Sequence, residues 1–225
     1  PNNINKLSQL ESLNLKGNKI VVLPDNFTEL IKLKNLQLDE NTLLNETLLF
    51  EQLQKMPKLK DVSVAYCKMK SLPEAKYSFE KLNLKGNLLT KIPMNVFSVK
   101  NINLSSNPFL ELENLFGSMA SKSSVEKLNL NDCRIETLPS NIGSLKGLRS
   151  LSLSGNNLTS LPAEIGNLEQ LESLNLANET KYLRTNKIAT LPVSIGKLKN
   201  LKYLNLRANA LKDLPSEFSK LNNLE

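Results

Sequence analysis

Leu148-Arg-Ser-Leu151-Ser-Leu153-Ser-Gly-Asn156-Asn-Leu158-Thr-Ser-Leu161, followed by Pro162, spells L-x-x-L-x-L-x-x-N-x-L-x-x-L-P. The same pattern begins at Leu10 and returns to the end of the chain. Its first position falls at Leu10, Leu33, Leu59, Phe79, Val99, Val125, Leu148, Leu171 and Leu201, which are 23, 26, 20, 20, 26, 23, 23 and 30 residues apart. Self-similarity at such a period is the signature of a solenoid, in which each unit buries its apolar side against its neighbours. Nine units cover nearly all of residues 1–225, so the chain reads as one elongated domain. Within each unit the L-x-L segment alternates apolar and polar residues, as a strand with one buried face does. Nine such strands, stacked in parallel about 4.8 Å apart, make one curved sheet.

The pattern resembles the leucine-rich repeat family, over residues 1–225. The resemblance implies an α/β solenoid, curved and right-handed, with a concave parallel sheet of about nine strands. Its convex side would mix short helices, 3-10 turns and extended chain. The Leu-Pro-x-x-Ile-Gly-x-Leu returns, as at Leu138 to Leu145, are similar to the short repeats of bacterial and plant intracellular members. The Cys-rich caps of animal extracellular members are missing, which favours a cytoplasmic over a secreted or cell-surface setting.

The resemblance also gives the ninth position a structural role. An asparagine there bonds backbone groups of its own turn and the adjacent one, which would otherwise be buried unpaired at about 1–3 kcal/mol each. The column reads Asn18, Asn41, Cys67, Asn87, Asn107, Cys133, Asn156, Asn186 and Asn209. Both cysteines fall in it, and the family accepts Cys at this place. Three repeats of strand spacing, roughly 14 Å, separate the two, too far for a disulfide. Two free, buried, inert thiols are expected.

The return path should follow unit length. The 20-residue units, with Leu72-Pro73 and Ile92-Pro93, leave room for extended chain or a short turn. The 23-residue units suit one helical or 3-10 turn. The 26-residue units have room for helices, over Thr47 to Met56 and Leu110 to Ala120, where apolar residues recur every three or four positions. Aromatics are only 5% of the chain and Trp is absent, so the core should be Leu, Ile and Val rather than large rings. At the ends, Pro1 to Leu7 matches Pro139 to Leu145, and Phe218, Leu221 and Leu224 complete one return and begin another. No polar cap of the kind solenoids use is visible, which reads as a fragment of a longer array.

Composition excludes several chemistries. There is no His, so Ser-His-Asp and Cys-His catalysis are absent, and two lone cysteines make no zinc site. No enzymatic activity, cofactor or metal is expected. No apolar run of about 18 residues exists to span a membrane. The net charge of +7 is scattered. On the strands, Lys16, Lys34, Lys60, Lys81, Lys85, Lys100, Lys127, Arg149, Lys202 and Arg207 are interspersed with Glu11, Asp39, Glu40, Asp61, Glu80, Glu126, Asp132 and Glu172. That is no phosphate-tracking stripe, which argues against nucleic acid. The triplets starting at Asn26, Asn45, Asn103, Asn157 and Asn178 match the glycosylation pattern, but they arise readily in an Asn-rich chain.

A protein partner remains, and two places could hold it. The central concave column reads Asn14, Gln37, Ser63, Asn83, Asn103, Asn129, Ser152, Asn175 and Asn205, with Tyr66, Tyr203, Arg149 and Arg207 as the anchor-type residues nearby. Asn83, Asn103, Asn129, Ser152, Asn175, Asn205, Tyr203 and Arg207 are the candidate contacts. The second place is unit eight, where nine residues, Ala177 to Thr185, stand where two belong. Deleting Ala177 to Leu183 restores a normal repeat. The extra residues should loop out at a rim of the concave face, carrying Lys181, Tyr182, Leu183 and Arg184, and insertions in repeat proteins often map to the binding face. The reading is a non-enzymatic protein-interaction scaffold. The alternatives are the sensor or targeting region of a larger signalling enzyme (kinase, GTPase or ubiquitin ligase), or a bacterial surface or secreted recognition protein.

Overall fold

The computed structural model describes residues 3–120, 123–178 and 184–225. Nine short strands form one parallel sheet in chain order. They are β1 (Ser12–Asn14), β2 (Asn35–Gln37), β3 (Asp61–Ser63), β4 (Lys81–Asn83), β5 (Asn101–Asn103), β6 (Lys127–Asn129), β7 (Ser150–Ser152), β8 (Ser173–Asn175) and β9 (Tyr203–Asn205). Their register is that of the repeat: Asn83 pairs with Asn103, Asn103 with Asn129 and Asn129 with Ser152. Unequal unit lengths leave this register intact, because the difference is taken up outside the strands: on the convex side and, in unit eight, in extra residues that follow the strand.

The leucines flanking the central column form the core. Leu38, Val64, Leu84, Leu104, Leu130, Leu153 and Leu176 are fully buried, while Leu15 and Leu206 in the end units are half-buried. A solenoid buries each unit only against its neighbours, so burial falls off at both ends.

The convex path sorts by length as the spacing requires. Five units carry a single 3-10 turn behind a Leu-Pro start: Asp25–Glu29, Ser140–Ser144, Ala163–Asn167, Val193–Lys197 and Ser216–Lys220. The proline before each holds φ between −69° and −63° and its carbonyl accepts the N–H three residues on. Its fixed φ sets the entry to the turn. Of the 20-residue units, the one with Leu72-Pro73 returns without a helix and the one with Ile92-Pro93 fits a 3-10 turn at Met94–Ser98. The 26-residue units hold helices α1 (Glu46–Leu53) and α2 (Leu112–Ala120), each slightly shorter than its apolar spacing suggested. Asn45 starts α1, its side chain accepting from Leu48 N, and the helix stops ahead of Pro57.

Large rings contribute more to the core than composition indicated. Tyr77, Phe27, Phe50, Phe97 and Phe116 are all fully buried. They sit on the convex half, where unit lengths change. Tyr77 fills the space behind the helix-less unit, with Phe50 of α1 at 5.1 Å and Phe79 at 6.2 Å between ring centroids. Its hydroxyl donates to Pro73 O at 2.8 Å. Leucine serves where successive units match, and rings fill the steps where they do not.

The ninth-position column works as a continuous hydrogen-bond ladder. Asn156 Nδ2 donates to Leu130 O at 2.9 Å and Leu153 O at 2.8 Å, and its Oδ1 accepts from Cys133 N at 2.9 Å and Ile135 N at 3.1 Å. Asn41, Asn87, Asn107, Asn186 and Asn209 likewise bond their own unit and the one before. Among the described residues Asn18, in the first unit, bonds its own turn alone, at Leu15 O and Lys16 O.

Cys67 and Cys133 donate to the same carbonyls that an asparagine would: Leu38 O at 3.3 Å and Leu104 O at 3.2 Å. A thiol offers a weak donor and little as an acceptor. Both cysteines follow a helix-bearing unit. There the residue that would present its N–H to the column, Leu43 or Phe109, turns outward and is exposed, whereas Met69, Ile135, Leu158 and Ile188 at the matching place are buried. Where no inward N–H needs an acceptor, a donor alone suffices. Both thiols are free, and burial pushes the Cys67 pKa up to about 11 and that of Cys133 up to about 12.

Candidate interaction surface

The concave face holds a groove of about 680 Å³, floored by strands β1 to β7. Asn83, Asn103, Asn129 and Ser152 line it; Asn175, Asn205, Tyr203 and Arg207 lie further along the sheet, outside that lining. Asn205 and Arg207 are exposed, and Tyr203 is 55% exposed with its hydroxyl donating to Glu225 at 2.9 Å. Tyr66 caps the rim at 44% exposure, with Lys85 Nζ 5.5 Å from its ring centroid.

The sequence missed why asparagine dominates the central column. In the ladder, N–H groups one residue before and one residue after the seventh position donate to the next unit, as Leu104 N does to Asn129 O and Ser106 N to Asn131 O. The seventh N–H therefore faces the other way and has no strand partner. Asn14, Asn83, Asn103, Asn129, Asn175 and Asn205 each accept it on Oδ1, from the residue two positions on, at 3.0–3.2 Å. Where the column holds serine, a neighbour substitutes: Asp39 Oδ1 accepts Ala65 N at 2.8 Å and Asn131 Oδ1 accepts Ser154 N at 2.7 Å. Half of each amide is thus committed to the fold. The i to i+2 spacing from Asn to an unpartnered strand N–H is a side-chain turn, and was readable only once the strand ends were known.

The strand-start column is charged and pairs along the sheet. Lys34 meets Glu11 at 2.8 Å, Lys60 meets Glu80 at 2.8 Å, and Glu172 bridges Arg149 at 2.6 Å and Lys202 at 3.1 Å. One column inward, Lys81 meets Asp61 at 2.8 Å. Hydrogen bonds and charge from these lysines hold the Glu11 and Glu80 carboxyls below the usual range. Such exposed pairs add little stability, but they cancel most of the charge that the sheet could offer a polyanion.

The insertion differs from its sequence reading. Ala177 and Asn178 occupy regular places: Gly155 N donates to Ala177 O, and Asn178 N donates to Arg207 O at 3.0 Å. The seven extra residues are therefore 179–185, two further on than Ala177 to Leu183. The boundary moved because Leu-Ala-Asn and Leu-Arg-Thr fit the pattern equally well, and only the ladder bonds discriminate. Asn178 closes the neck of the insertion, its Nδ2 donating to Asn186 O at 2.7 Å and its Oδ1 accepting from Asn186 N at 2.6 Å. Lys181, Tyr182 and Leu183 lie outside the described residues. Arg184 reaches back across one unit to Asp132, at 3.8 Å.

The leucine rich repeat family model matches residues 123–180, and a second leucine rich repeat model matches 9–30 and 200–221. The chain is a leucine-rich repeat protein. A probable inactive serine/threonine-protein kinase, roco10 of Dictyostelium discoideum, is 32% identical over 104 residues, which are 44% of this chain and 4% of that protein. Among solved structures, a leucine-rich repeat protein of Leptospira interrogans is 27% identical with a TM-score of 0.64, covering 99% of this chain and 56% of that one. The Drosophila Toll–Spatzle complex contains a chain 25% identical with a TM-score of 0.77, covering 98% of this chain and 30% of that one. An internalin of Listeria monocytogenes, 20% identical with a TM-score of 0.60, shares the fold. This chain thus spans only part of the relatives it matches. No helix among the described residues is long and apolar enough to cross a membrane.

Proposed function

We propose that this chain is a non-enzymatic scaffold that binds a protein partner on its concave face, with the insertion at 179–185 bordering the contact. The observation that carries this reading is the 680 Å³ groove over β1 to β7, walled by polar side chains held in fixed orientation by backbone bonds. Preorganised side chains lose little entropy on binding. The leucine-rich repeat fold is consistent with an interaction module. The test is capture of partners from lysate by the intact chain, by Ser152→Trp, which fills the groove floor, and by a chain lacking 179–185. Loss with Ser152→Trp alone places the contact in the groove, and loss with the deletion alone places it at the insertion. Retention by both variants sinks the reading.

A second reading is the targeting region of a larger signalling protein. The match to a protein whose name is that of a probable inactive kinase, of which the matched stretch is only 4%, favours it. The reading frame on either side would decide it.

A further inference from the structure

We infer that the middle of the groove selects a carboxylate-bearing segment of its protein partner; this rests on the concave-face reading above. Two amides on adjacent strands are held in one orientation. Asn103 Oδ1 accepts Ser105 N at 3.0 Å and Ser105 Oγ at 2.7 Å, and Asn129 Oδ1 accepts Asn131 N at 3.0 Å. An amide whose oxygen is held by its own backbone must turn its NH₂ away. The Nδ2 atoms of Asn103 and Asn129 have no partner among the described residues, are not among the buried unpartnered atoms, and line the groove. Asn83 is different, since its Nδ2 donates to Ser63 Oγ at 2.8 Å, which passes the bond on to Asp39. The groove amides whose oxygen is held and whose NH₂ is left outward are therefore those of Asn103 on β5 and Asn129 on β6.

These two strands are adjacent and in register, so the two amides stand about 4.8 Å apart. That spacing lets the two oxygens of one carboxylate each accept one N–H. Lys127, beside Asn129, lines the same stretch and has no ion-pair partner among the described residues. The acid that lines the groove, Asp61, is already paired with Lys81. Glu80, at the strand start, is paired with Lys60, and Glu126 lies in that outer column beyond the groove lining. The groove centre thus offers two outward N–H donors and one cation without an ion-pair partner among the described residues. A phosphate polymer would need a continuous row of cations, which the alternating strand-start column does not provide.

The discriminating variant keeps the fold and reverses the outward group. Asn103→Asp with Asn129→Asp retains the oxygen that accepts the backbone N–H but replaces the outward NH₂ with a second oxygen. The probe is a hexaglutamate peptide, with hexaglutamine as control, followed through the side-chain amide signals of the intact chain by NMR. Hexaglutamate should shift the Asn103 and Asn129 signals and leave those of Asn107 and Asn156 in place. The double variant, with its melting temperature checked, should bind about tenfold or more weakly, because like charges then face each other. Lys127→Gln, which touches no backbone bond, should weaken it in the same direction and serves if the double variant is destabilised. Equal shifts with hexaglutamine, unchanged binding in both variants, or an equal response to a single-stranded oligonucleotide would overturn the inference. Should lysate capture be lost in Ser152→Trp yet unaffected by Asn103→Asp with Asn129→Asp, the concave face binds and only its donor chemistry is wrong.

Discussion

Asparagine performs two separate tasks in this chain, and each can be tested by exchanging residues. In the inner column, Asn156 completes four bonds with backbone groups of two units. Asn156→Cys keeps a weak donor but strips the acceptor from Cys133 N and Ile135 N, and should cost roughly 2–4 kcal/mol. Cys133→Asn should also destabilise, by about 1–2 kcal/mol, because the new oxygen meets no inward N–H where Phe109 turns out. Urea unfolding of both variants checks this; a stabilised Cys133→Asn would mean that the donor-only explanation of the cysteines is wrong. The thiols make a pH prediction as well. Their folded pKa values, about 11 and about 12, lie above the ordinary thiol value of about 8.5. Between these limits the unfolded chain releases protons that the folded chain retains, so stability is fully present below about 8.5 and declines as pH rises toward the folded values. Cys67→Ala with Cys133→Ala should flatten that decline. Unfolding midpoints at pH 8 and pH 10.5 that fall equally in the wild type and the double variant would refute the linkage.

At the scale of the element, the Leu-Pro-x-x-Ile-Gly return shows what one sequence can and cannot disclose. The period, the strand register, the mixed convex side and both helix-bearing units were legible, because they depend on patterns within a unit. The reason for the glycine was not, because it depends on the unit that follows. A Cβ on Gly143 would lie 2.8 Å from Glu164 O; on Gly166 and Gly196 it would press still closer on Ser194 O and Glu217 O. The 3-10 turns of successive units stack backbone to backbone at this point. Gly166→Ala should therefore destabilise by roughly 1–3 kcal/mol through overpacking. Gly147→Ala is the control: nothing lies within 4 Å of its Cβ, so a neutral or slightly stabilising effect is expected. Thermal unfolding that finds the two variants alike would remove close turn stacking as the cause. The asparagines of the concave column were legible as a surface feature, yet their commitment to the seventh N–H was hidden in the ladder geometry.

Over the whole molecule, a solenoid is held by contacts between successive units, and the insertion supplies an exception. Arg184, at the end of the extra residues of unit eight, reaches past unit seven to Asp132 of unit six. Asp132 also accepts from Ser106 Oγ of unit five at 3.2 Å. Gly155, which lies between, is buried, whereas Gly17 at the same place in the first unit is exposed. The sequence could mark the insertion but could not give the partner of Arg184, since nothing within unit eight encodes a contact two units away. The pair at 3.8 Å, with both side chains about a third exposed, is worth little as a salt bridge, roughly 0.2–1 kcal/mol. Its importance is that it links two units that are not neighbours in the sheet. A double-mutant cycle of Arg184→Ala and Asp132→Ala, read by urea unfolding, should give a coupling of that size, and the coupling should shrink when salt is raised from low to about 0.5 M as screening shortens the reach of the charges. The Asp132→Ala effect should also disappear in part when residues 179–185 are deleted, since Arg184 leaves with them. A coupling indistinguishable from zero at low salt would mean that Arg184 does not tie unit eight to unit six, and the borders of the proposed contact would then have to be drawn without it.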